Sequence, residues 1–475
     1  MFDTLVARRC AEPTGVFARL EQRSGLRNLA AARVAAEAAI AGSPYGLGDI
    51  YRVLTERHGL PAELGRKVML LEVEIEREML FPIAEICALF RPSDIVVSDM
   101  YLPHEFLVSV LRDGCGLVPS RLYLSSNGKR QGYIWESIGK EFQILEHFGD
   151  NEITDIQSAS RAGLSARHVA IAGWTRVEVL LARSGFRPLA EIVREARLST
   201  YQPVPERRQE QILQIELNFP LLFLASLTLA RLAAQRGWKR ILFSGRDGFL
   251  WSTLYQVLYP LLGGAPPARY FHSSRIARMR PSSSYLSYFE AERGGVPCVI
   301  ADLVGTGWSL TRLIEQAADV PTDIFLIHHL QRTNLLETYQ AHAPTRIPVA
   351  PISVLCREAN EHDNEVLEEL NRAPHPMITD IEETDRGFRP VSAPSDLDHH
   401  TRGLLAGHHA AFQAAVRLIP NIDPAALAAM AQQPTEAVMT ELYREFGGQL
   451  PRLHAFRSAK DVDEALFLSR LRSAP

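Results

Sequence analysis

The chain has 475 residues, which is enough for two or three domains that each bury a sizeable core. Apolar residues make up 46% and charged residues 22% of the chain, as in ordinary soluble globular proteins. The formal net charge of −4 argues against nucleic acid and an anionic membrane as partners. The five cysteines show no metal-ligand spacing, and no apolar signal core opens the sequence, so we expect a cytoplasmic protein with reduced thiols.

The first predicted elements are the end of a β-strand and a group of helices. Phe2-Asp3-Thr4-Leu5 has the character of the end of a strand. Residues 12–90 then carry apolar positions at helical spacing in four segments. These segments are 16–22, 30–41, 47–58 and 61–80. The pattern predicts a helical bundle, which either covers a ligand site or serves only as a bundle.

Residues 91–175 alternate short β-rich runs with helical segments, which predicts a parallel sheet with flanking helices. Polar residues stand where the strands end. Ser98 and Asp99 end one strand, and Lys129 follows another. Asp150 lies in a Gly-Asp-Asn turn after a third, with Asp155 five positions further on. Ligands bind at the carboxyl ends of such strands, where Mg²⁺ favours carboxylate oxygens. The alternative is helix capping by Ser98 and Asp150, with the other side chains solvated.

This order of residues resembles the haloacid dehalogenase-like (HAD) hydrolase superfamily over about residues 1–175. The matching elements are Asp-Thr near the start, then Ser, then Lys, then Gly-Asp-Asn with a trailing Asp. The resemblance implies an α/β fold with a Rossmannoid parallel sheet and an inserted helical cap at about residues 12–90. It also implies Mg²⁺ as the cofactor and a small phosphorylated metabolite as the substrate.

The resemblance gives each matching residue a role. Ser98 would bind the substrate phosphate, together with the backbone N–H groups of Asp99 and Met100. Lys129 would offset the negative charge of the phosphate and the nucleophile. The remaining assignments are Thr4 beside the substrate, Asp150 as a metal ligand, and Asp155 as support for the metal or its waters.

The nucleophile itself falls outside the sequence. In the superfamily a nucleophilic Asp ends the first strand, and the match places it one residue before Met1. Phe2 then occupies the acid/base position, and Asp3 follows it. Two hypotheses remain open: a Mg²⁺-dependent phosphatase whose nucleophile lies upstream of Met1, and a non-catalytic protein that binds a phosphate or nucleotide in a regulatory role.

A helix and a linker with Pro203 and Pro205 occupy residues 176–210, which predicts a domain boundary there. Residues 212–235 then form a long apolar helical stretch that we expect to be kinked or restarted at Pro220. Its most apolar run, 219–230, is too short to cross a bilayer, so we expect a buried helix.

A second α/β domain is predicted at residues 211–350, with strands at 239–243, 268–272 and 296–301. The third strand leads into Asp302-Leu303-Val304-Gly305-Thr306-Gly307-Trp308-Ser309. This stretch resembles the phosphoribosyl-pyrophosphate loop of type I phosphoribosyltransferases. The alternative is a Rossmann-like turn in which Thr-Gly serves packing and capping.

The second resemblance implies that this domain binds phosphoribosyl pyrophosphate or a nucleotide. A 5′-phosphate would lie on Thr306, Gly307 and Ser309. Asp302 would contact the ribose, and Arg246, which follows the first strand, would contact a second phosphate. Because Ala301 replaces the first acid of the pair, we expect binding to survive better than transferase turnover. Residues 351–475 are predicted to be mainly helical, with a polar loop at 382–400.

Overall fold

The computed structural model describes residues 1–10, 12–330, 333–357, 361–394 and 399–447. It has a mixed α/β architecture. The chain divides into two compact units. The first comprises Met1–Arg176 with Arg194–Tyr201, and the second comprises Val177–Val193 with the residues from Gln202 onward. The chain therefore passes from one unit to the other only within residues 176–202.

The first unit contains the helical bundle that the apolar periodicity predicts. Its helices are Thr14–Ser24, Leu29–Ala38, Leu47–His58 and Ala62–Met79. Their buried faces share one core, which confirms the predicted helices. Strand β1 (Val6–Arg8) leads into the bundle and pairs antiparallel with β2 (Leu80–Pro82), which leads out of it.

Four short strands follow, and they pair in two separate parallel sheets. Strand β3 (Ile95–Asp99) pairs with β4 (Arg121–Ser125), and β5 (His147–Gly149) pairs with β6 (Ala166–His168). The prediction of one parallel sheet through residues 91–175 is therefore wrong, because the four strands form two separate sheets. No hydrogen bonds join β3 to β5, and both strands line one cavity.

Short helical segments connect these strands. They are Ala84–Cys87, His104–Ser109, Gly128–Gln131, Tyr133–Glu141 and Ser158–Arg161, with π-helical turns at Val110–Gly114 and Glu152–Gln157. The π-helical turn at Glu152–Gln157 comes directly after the Gly-Asp-Asn turn.

The second unit is organised around a five-stranded parallel sheet with the order β11-β10-β9-β7-β8. The strands are β7 (Arg240–Ser244), β8 (Ala268–Phe271), β9 (Cys298–Gly305), β10 (Thr322–Leu330) and β11 (Ile352–Arg357). Strands β7 and β9 are neighbours although β8 separates them in sequence. Chain order therefore reverses beside β7, which is a preferred position for ligand sites in open parallel sheets.

Helices and one hairpin surround this sheet. Two helices, Arg176–Arg183 and Arg187–Ser199, each have residues in both units. The helices from there to the last strand of the sheet are Pro205–Ile212, Phe219–Arg236, Phe249–Leu258, Arg275–Met279, Ser283–Arg293, Trp308–Glu315 and Thr333–His342, with a π-helical turn at Leu213–Asn218 and a 3₁₀ turn at Tyr259–Leu261. Those after it are Glu361–Leu370, His399–Val416, Pro424–Ala431 and Glu436–Gly447, with a 3₁₀ turn at Ile419–Asn421.

The long apolar stretch is a core helix. Phe219–Arg236 is buried along most of its length. It follows the π-helical turn Leu213–Asn218 directly, with Pro220 in its first turn, so the helix is irregular next to the position where a kink or restart was predicted. The combined segment Arg207–Arg236 is long and apolar enough to cross a membrane, but 89% of its apolar window is buried inside the structure. That burial is typical of a core helix in a soluble protein.

The region after residue 350 differs from its prediction. Strand β11 extends the parallel sheet, and an antiparallel hairpin of β12 (Ile378–Thr384) and β13 (Gly387–Ser392) overlaps the predicted polar loop. The hairpin was missed because most of its side chains are polar or exposed, which hides the alternation of a half-buried strand. The predicted C-terminal helices are present, and residues 448–475 lie outside the described part.

Candidate functional site

One cavity brings together the residues that the sequence singled out in the first unit. It has a volume of about 530 Å³ and is lined by Ser98, Asp99, Lys129, Asp150 and Asp155. The sixth predicted residue is next to it, since the hydroxyl of Thr4 donates to Oδ1 of Asp150 at 3.1 Å. Ser98 and Asp99 come from the end of β3, and the two other acids follow the end of β5.

The turn after β5 is shaped to bring Asp155 close to the strand. A Cβ atom on Gly149 would lie 2.3 Å from the Cβ and Cγ atoms of Asp155, so only glycine permits this approach. The side chain of Asn151 accepts hydrogen bonds from the N–H groups of Ile153 and Thr154 at 3.0 Å. Its own backbone N–H donates to Oδ2 of Asp155 at 3.2 Å.

Asp155 is the buried anion of the site, and both of its carboxylate oxygens accept hydrogen bonds. Its Oδ1 lies 2.6 Å from Nζ of Lys129 and 3.1 Å from Nε2 of His147. Burial alone would raise the pKa of Asp155, but the hydrogen bonds from His147 and Lys129 hold that pKa well below its ordinary value. Asp155 therefore positions Lys129. His147 was not among the predicted site residues, although it begins the short strand β5, which Asp150 and Asp155 follow.

Burial lowers the pKa of His147, with Asp155 opposing that shift. A neutral imidazole that donates from Nε2 satisfies the carboxylate in this arrangement. Asp155 thus receives donors at both oxygens, from Lys129 and His147 at one and from Asn151 at the other. The expected support of a metal by Asp155 would require it to give up one of these partners.

Asp99 has a positioning role as well. Its carboxylate accepts the backbone N–H of Lys129 at 3.0–3.1 Å and a hydrogen bond from Ser125. These contacts fix the first turn of the helix that carries Lys129. The N–H of Met100, expected to face a phosphate, instead donates to the carbonyl of Ser125 at 2.6 Å. That expectation is wrong, because β3 and β4 continue their pairing one residue further.

Asp150 and Asp3 also line the cavity, and among the described residues neither is paired with a lysine side chain. Burial raises the pKa of Asp3, and the nearby Asp150 raises it further, while Arg194 opposes the shift from 3.5 Å. Two carboxylates in mutual repulsion favour a bound cation. Mg²⁺ is commonly held by one or two carboxylates and waters, which these two acids fit. Among the described residues, no group of three or more His, Cys, Asp or Glu side chains forms a metal site.

The helical bundle contributes to the wall of the same cavity. Ala41, Gly42 and Tyr45 line it. The backbone N–H of Tyr45 donates to Oγ of Ser126 at 3.0 Å, and its ring stacks on that of Tyr101 with centroids 6.4 Å apart. The bundle therefore encloses the polar residues at the ends of β3 and β5.

A second polar cluster lies at the carboxyl ends of β7 and β9 in the second unit. Arg278, which the sequence analysis missed, donates to Oγ of Ser244 at 2.8 Å and lies 3.6 Å from Asp302. Burial raises the pKa of Asp302 to about 6 and lowers that of Arg278. Asp302 is within β9 and pairs with Leu326, so the predicted loop from Asp302 is wrong: the strand runs on to Gly305.

The remaining turn is shorter than predicted. Thr306 and Gly307 separate β9 from the helix Trp308–Glu315, and Ser309 lies in the first turn of that helix. Gly307 adopts φ = 78°, which favours glycine. The hydroxyl of Thr306 accepts the backbone N–H of Trp308 at 3.3 Å. This hydrogen bond occupies one N–H that was expected to face a phosphate, although Gly307 is the N-cap residue and the helix has no side-chain cap.

The loop after β7 places Arg246 beside the same cluster. Gly248 is required there, because a Cβ atom would lie 2.7 Å from the carbonyl oxygen of Ser244. Burial, and then the negative charge of Glu368, raise the pKa of Asp247 well above its ordinary value, while Arg246 opposes them. The two acids Asp247 and Asp302 are therefore both desolvated.

Aromatic and histidine side chains adjoin this cluster at the end of β8. The hydroxyl of Tyr270 is 2.7 Å from Nε2 of His375. Burial lowers the pKa of His272 to about 4, with His375 adding to the shift. The only sequence signal for these residues was the Tyr-Phe-His run at the end of a β-rich segment.

Neither the known family models nor the curated proteins compared with this chain contain a match.

Proposed function

We propose that the first unit is a HAD-type site that binds the phosphate of a small phosphorylated metabolite and hydrolyses the ester with Mg²⁺. The observation that carries the proposal is the convergence of Ser98, Lys129 and Asp150 on one cavity of about 530 Å³. Phosphoryl transfer asks a protein mainly for positioning and for neutralisation of charge on the phosphate oxygens. The side chains lining this cavity are suited to both tasks.

Lys129 is the cation of the proposed site. It is only 7% exposed and its Nζ is fixed against Asp155 at 2.6 Å, so little side-chain freedom is lost when a phosphate binds. Its backbone is fixed by Asp99. Ser98 is 2% exposed at the end of β3 and supplies a hydroxyl donor to the same space.

Asp150, with Asp3, is the ligand set that would hold Mg²⁺. Thr4 fixes Asp150 by its hydrogen bond, and His168 Nε2 lies 2.8 Å from the Asp150 carbonyl oxygen. When bound there, Mg²⁺ would neutralise phosphate charge and bring the phosphate into line with a nucleophile.

The resemblance places the nucleophilic carboxylate at the position directly before Met1, so the test supplies that position. The test compares two versions of the full chain, each with the same short N-terminal extension, ending in Asp in one and in Asn in the other. We expect Mg²⁺-dependent release of phosphate from a panel of small phosphate esters by the Asp version alone. If both versions bind inorganic phosphate and neither hydrolyses any ester, the regulatory binding protein is the correct alternative. If neither binds phosphate, both hypotheses fail.

A second function is supported by the cluster of the second unit. There we propose a site for a phosphorylated ribose, such as phosphoribosyl pyrophosphate, or for a nucleotide. Arg246 and Arg278 lie near the carboxyl ends of β7 and β9, beside the point where chain order reverses. Calorimetry of the full chain with these ligands tests this function, and no heat from any of them at millimolar concentration would contradict it.

A further inference from the structure

Two cysteines of the first unit form a pair. Cys87 ends the helix Ala84–Cys87, which follows β2, and Cys115 directly follows the π-helical turn Val110–Gly114. Strand β2 packs against that turn, and both cysteines contact the core of the helical bundle. Their thiols are hydrogen-bonded to each other, although the two residues are far apart in the chain. The remaining approach to the disulfide bonding distance of about 2.05 Å is therefore short.

Both thiols of this pair can be reached from solvent. Among the cysteines whose side chains the structure describes, Cys87 and Cys115 are partly exposed, whereas Cys10 and Cys298 are buried. The susceptibility of a cysteine to oxidation follows its exposure and its thiolate character. A small oxidant that diffuses to the surface of the first unit should therefore react with the pair before it reacts with the two buried thiols.

The hydrogen bonds give the two thiols different roles. The thiol of Cys87 donates to the carbonyl oxygen of Leu5 at 3.4 Å, and its sulfur accepts from Cys115. The hydrogen bond from Cys115 lowers the pKa of Cys87, with burial opposing the shift, and the same bond raises the pKa of Cys115. Because the thiolate is the reactive form of a cysteine, Cys87 is the sulfur that attacks and Cys115 is the one that resolves.

The fold tolerates the loss of the thiol proton of Cys87. The carbonyl oxygen of Leu5, to which that thiol donates, also accepts the backbone N–H of Ile83 at 2.8 Å. A buried acceptor that loses its last donor is costly, but Leu5 keeps one when Cys87 is oxidised. Oxidation therefore leaves the connection between β1 and β2 intact.

We propose that Cys87 and Cys115 are a reversible oxidation site, at which a hydroperoxide converts the two thiols into a disulfide bond. In the first step the Cys87 sulfur attacks a peroxide oxygen, so that an S–O bond forms, the O–O bond breaks, and the leaving oxygen takes the thiol proton. In the second step the Cys115 sulfur attacks the Cys87 sulfur, so that the S–S bond forms, the S–O bond breaks, and hydroxide leaves with the Cys115 proton as water. The two thiols lose two electrons, which the peroxide gains.

The disulfide closes a loop that contains β3, and with it Ser98 and Asp99. A cross-link between residues this far apart in the chain restrains the unfolded state and so stabilises the folded one. In a reducing compartment such disulfides are usually transient and respond to oxidants. The pair is thus a stabilising redox switch in the segment that returns from the helical bundle, and it operates whether or not the first unit binds phosphate.

The experiment treats the full reduced chain with a small excess of hydrogen peroxide, blocks the remaining thiols with iodoacetamide, and maps the tryptic peptides by mass spectrometry. The expected product joins peptide 78–112, which carries Cys87, to peptide 113–121, which carries Cys115. Dithiothreitol should separate the two peptides again. The melting temperature of the oxidised chain should exceed that of the reduced chain by about 5–10 °C.

Substitutions separate the two roles. Cys115→Ser should stop the reaction at a sulfenic acid on Cys87, which dimedone captures, and Cys87→Ser should slow the oxidation of Cys115 by about ten-fold or more. Cys298→Ala, at a buried cysteine, is the matched control and should leave the disulfide unchanged. A disulfide only between two molecules, or oxidation of the buried thiols at the same rate as the pair, would overturn the proposal. The peptide map of the unsubstituted chain decides the pairing even if a serine variant fails to fold.

Discussion

The two units both place polar residues at the carboxyl ends of parallel strands, but they differ in how closely a buried carboxylate is paired with a cation. In the first unit the buried anion Asp155 is paired with Lys129 at 2.6 Å, and its pKa is held low. In the second unit Asp302 has an Arg278 neighbour only at 3.6 Å, and burial raises its pKa to about 6. The charge of Asp155 is therefore fixed across ordinary pH, whereas the charge of Asp302 depends on pH.

This difference determines whether a site must break an existing ion pair when it binds a phosphate. Lys129 is already positioned in a cavity and can accept an anion without leaving Asp155. A phosphate at Arg278 would compete with Asp302, and protonation of that carboxyl would favour the phosphate. Four experiments test the contrast, from the largest expected effect to the smallest.

Lys129→Met should remove the fixed cation of the first site. Breaking a buried ion pair by removing one partner costs about 3–5 kcal/mol, so both the unfolding free energy and phosphate affinity should fall, the affinity by about a hundred-fold. Denaturant unfolding and calorimetry with inorganic phosphate measure the two effects. Lys140→Met, at an exposed lysine, is the matched control. Unchanged phosphate affinity in the Lys129 variant would show that phosphate does not bind here.

Protonation of Asp302 should make the stability of the second unit depend on pH. Its pKa is about 6 in the folded protein against an ordinary value of 3.8, so the folded state binds more protons between these values. The unfolding free energy should therefore fall as pH rises from about 4 to 6, by an amount on the order of 2–3 kcal/mol. Asp302→Asn should flatten this dependence in denaturant unfolding followed at several pH values. A stability that rises over that range in both proteins equally would contradict the assignment.

Asp150→Asn should weaken Mg²⁺ binding by about ten-fold or more, because it removes one of two carboxylates in a site that holds the ion by charge. Titration with Mg²⁺ of the full chain measures this change. Asp113→Asn is the control, since Asp113 is 56% exposed and pairs with Arg112. Equal Mg²⁺ affinity for the wild-type and Asp150 proteins would exclude this metal site.

Arg246→Ala should weaken phosphoribosyl pyrophosphate or nucleotide binding at the second unit by roughly ten-fold, the loss of one charge-assisted hydrogen bond of about 1.5–3 kcal/mol. The control is Arg236→Ala, at a side chain that is 50% exposed. Phosphate binding at the first unit should stay unchanged in both variants. Loss of affinity at both units would mean that the substitution acts through folding.

The sequence by itself determined the local elements and the candidates for the first site. Apolar residues at helical spacing fix the four helices of the bundle, because that periodicity depends only on neighbouring residues. Polar residues after short strands placed Ser98, Lys129 and Asp150 at one edge, since parallel strands end at the same edge of a sheet. Both inferences can be made without knowing which strands pair, because they depend only on local periodicity and on the direction in which the strands run.

Only the tertiary structure decided the partners. The pairing of Asp155 with His147 and Lys129, and of Arg278 with Asp302, joins residues 8 to 26 positions apart through packing that no local pattern encodes. The separation of β3 from β5, and the addition of β11 to the second sheet, likewise depend on which edges meet in space. Periodicity reports the exposure of a segment, whereas charge partners and strand neighbours follow from the three-dimensional course of the chain.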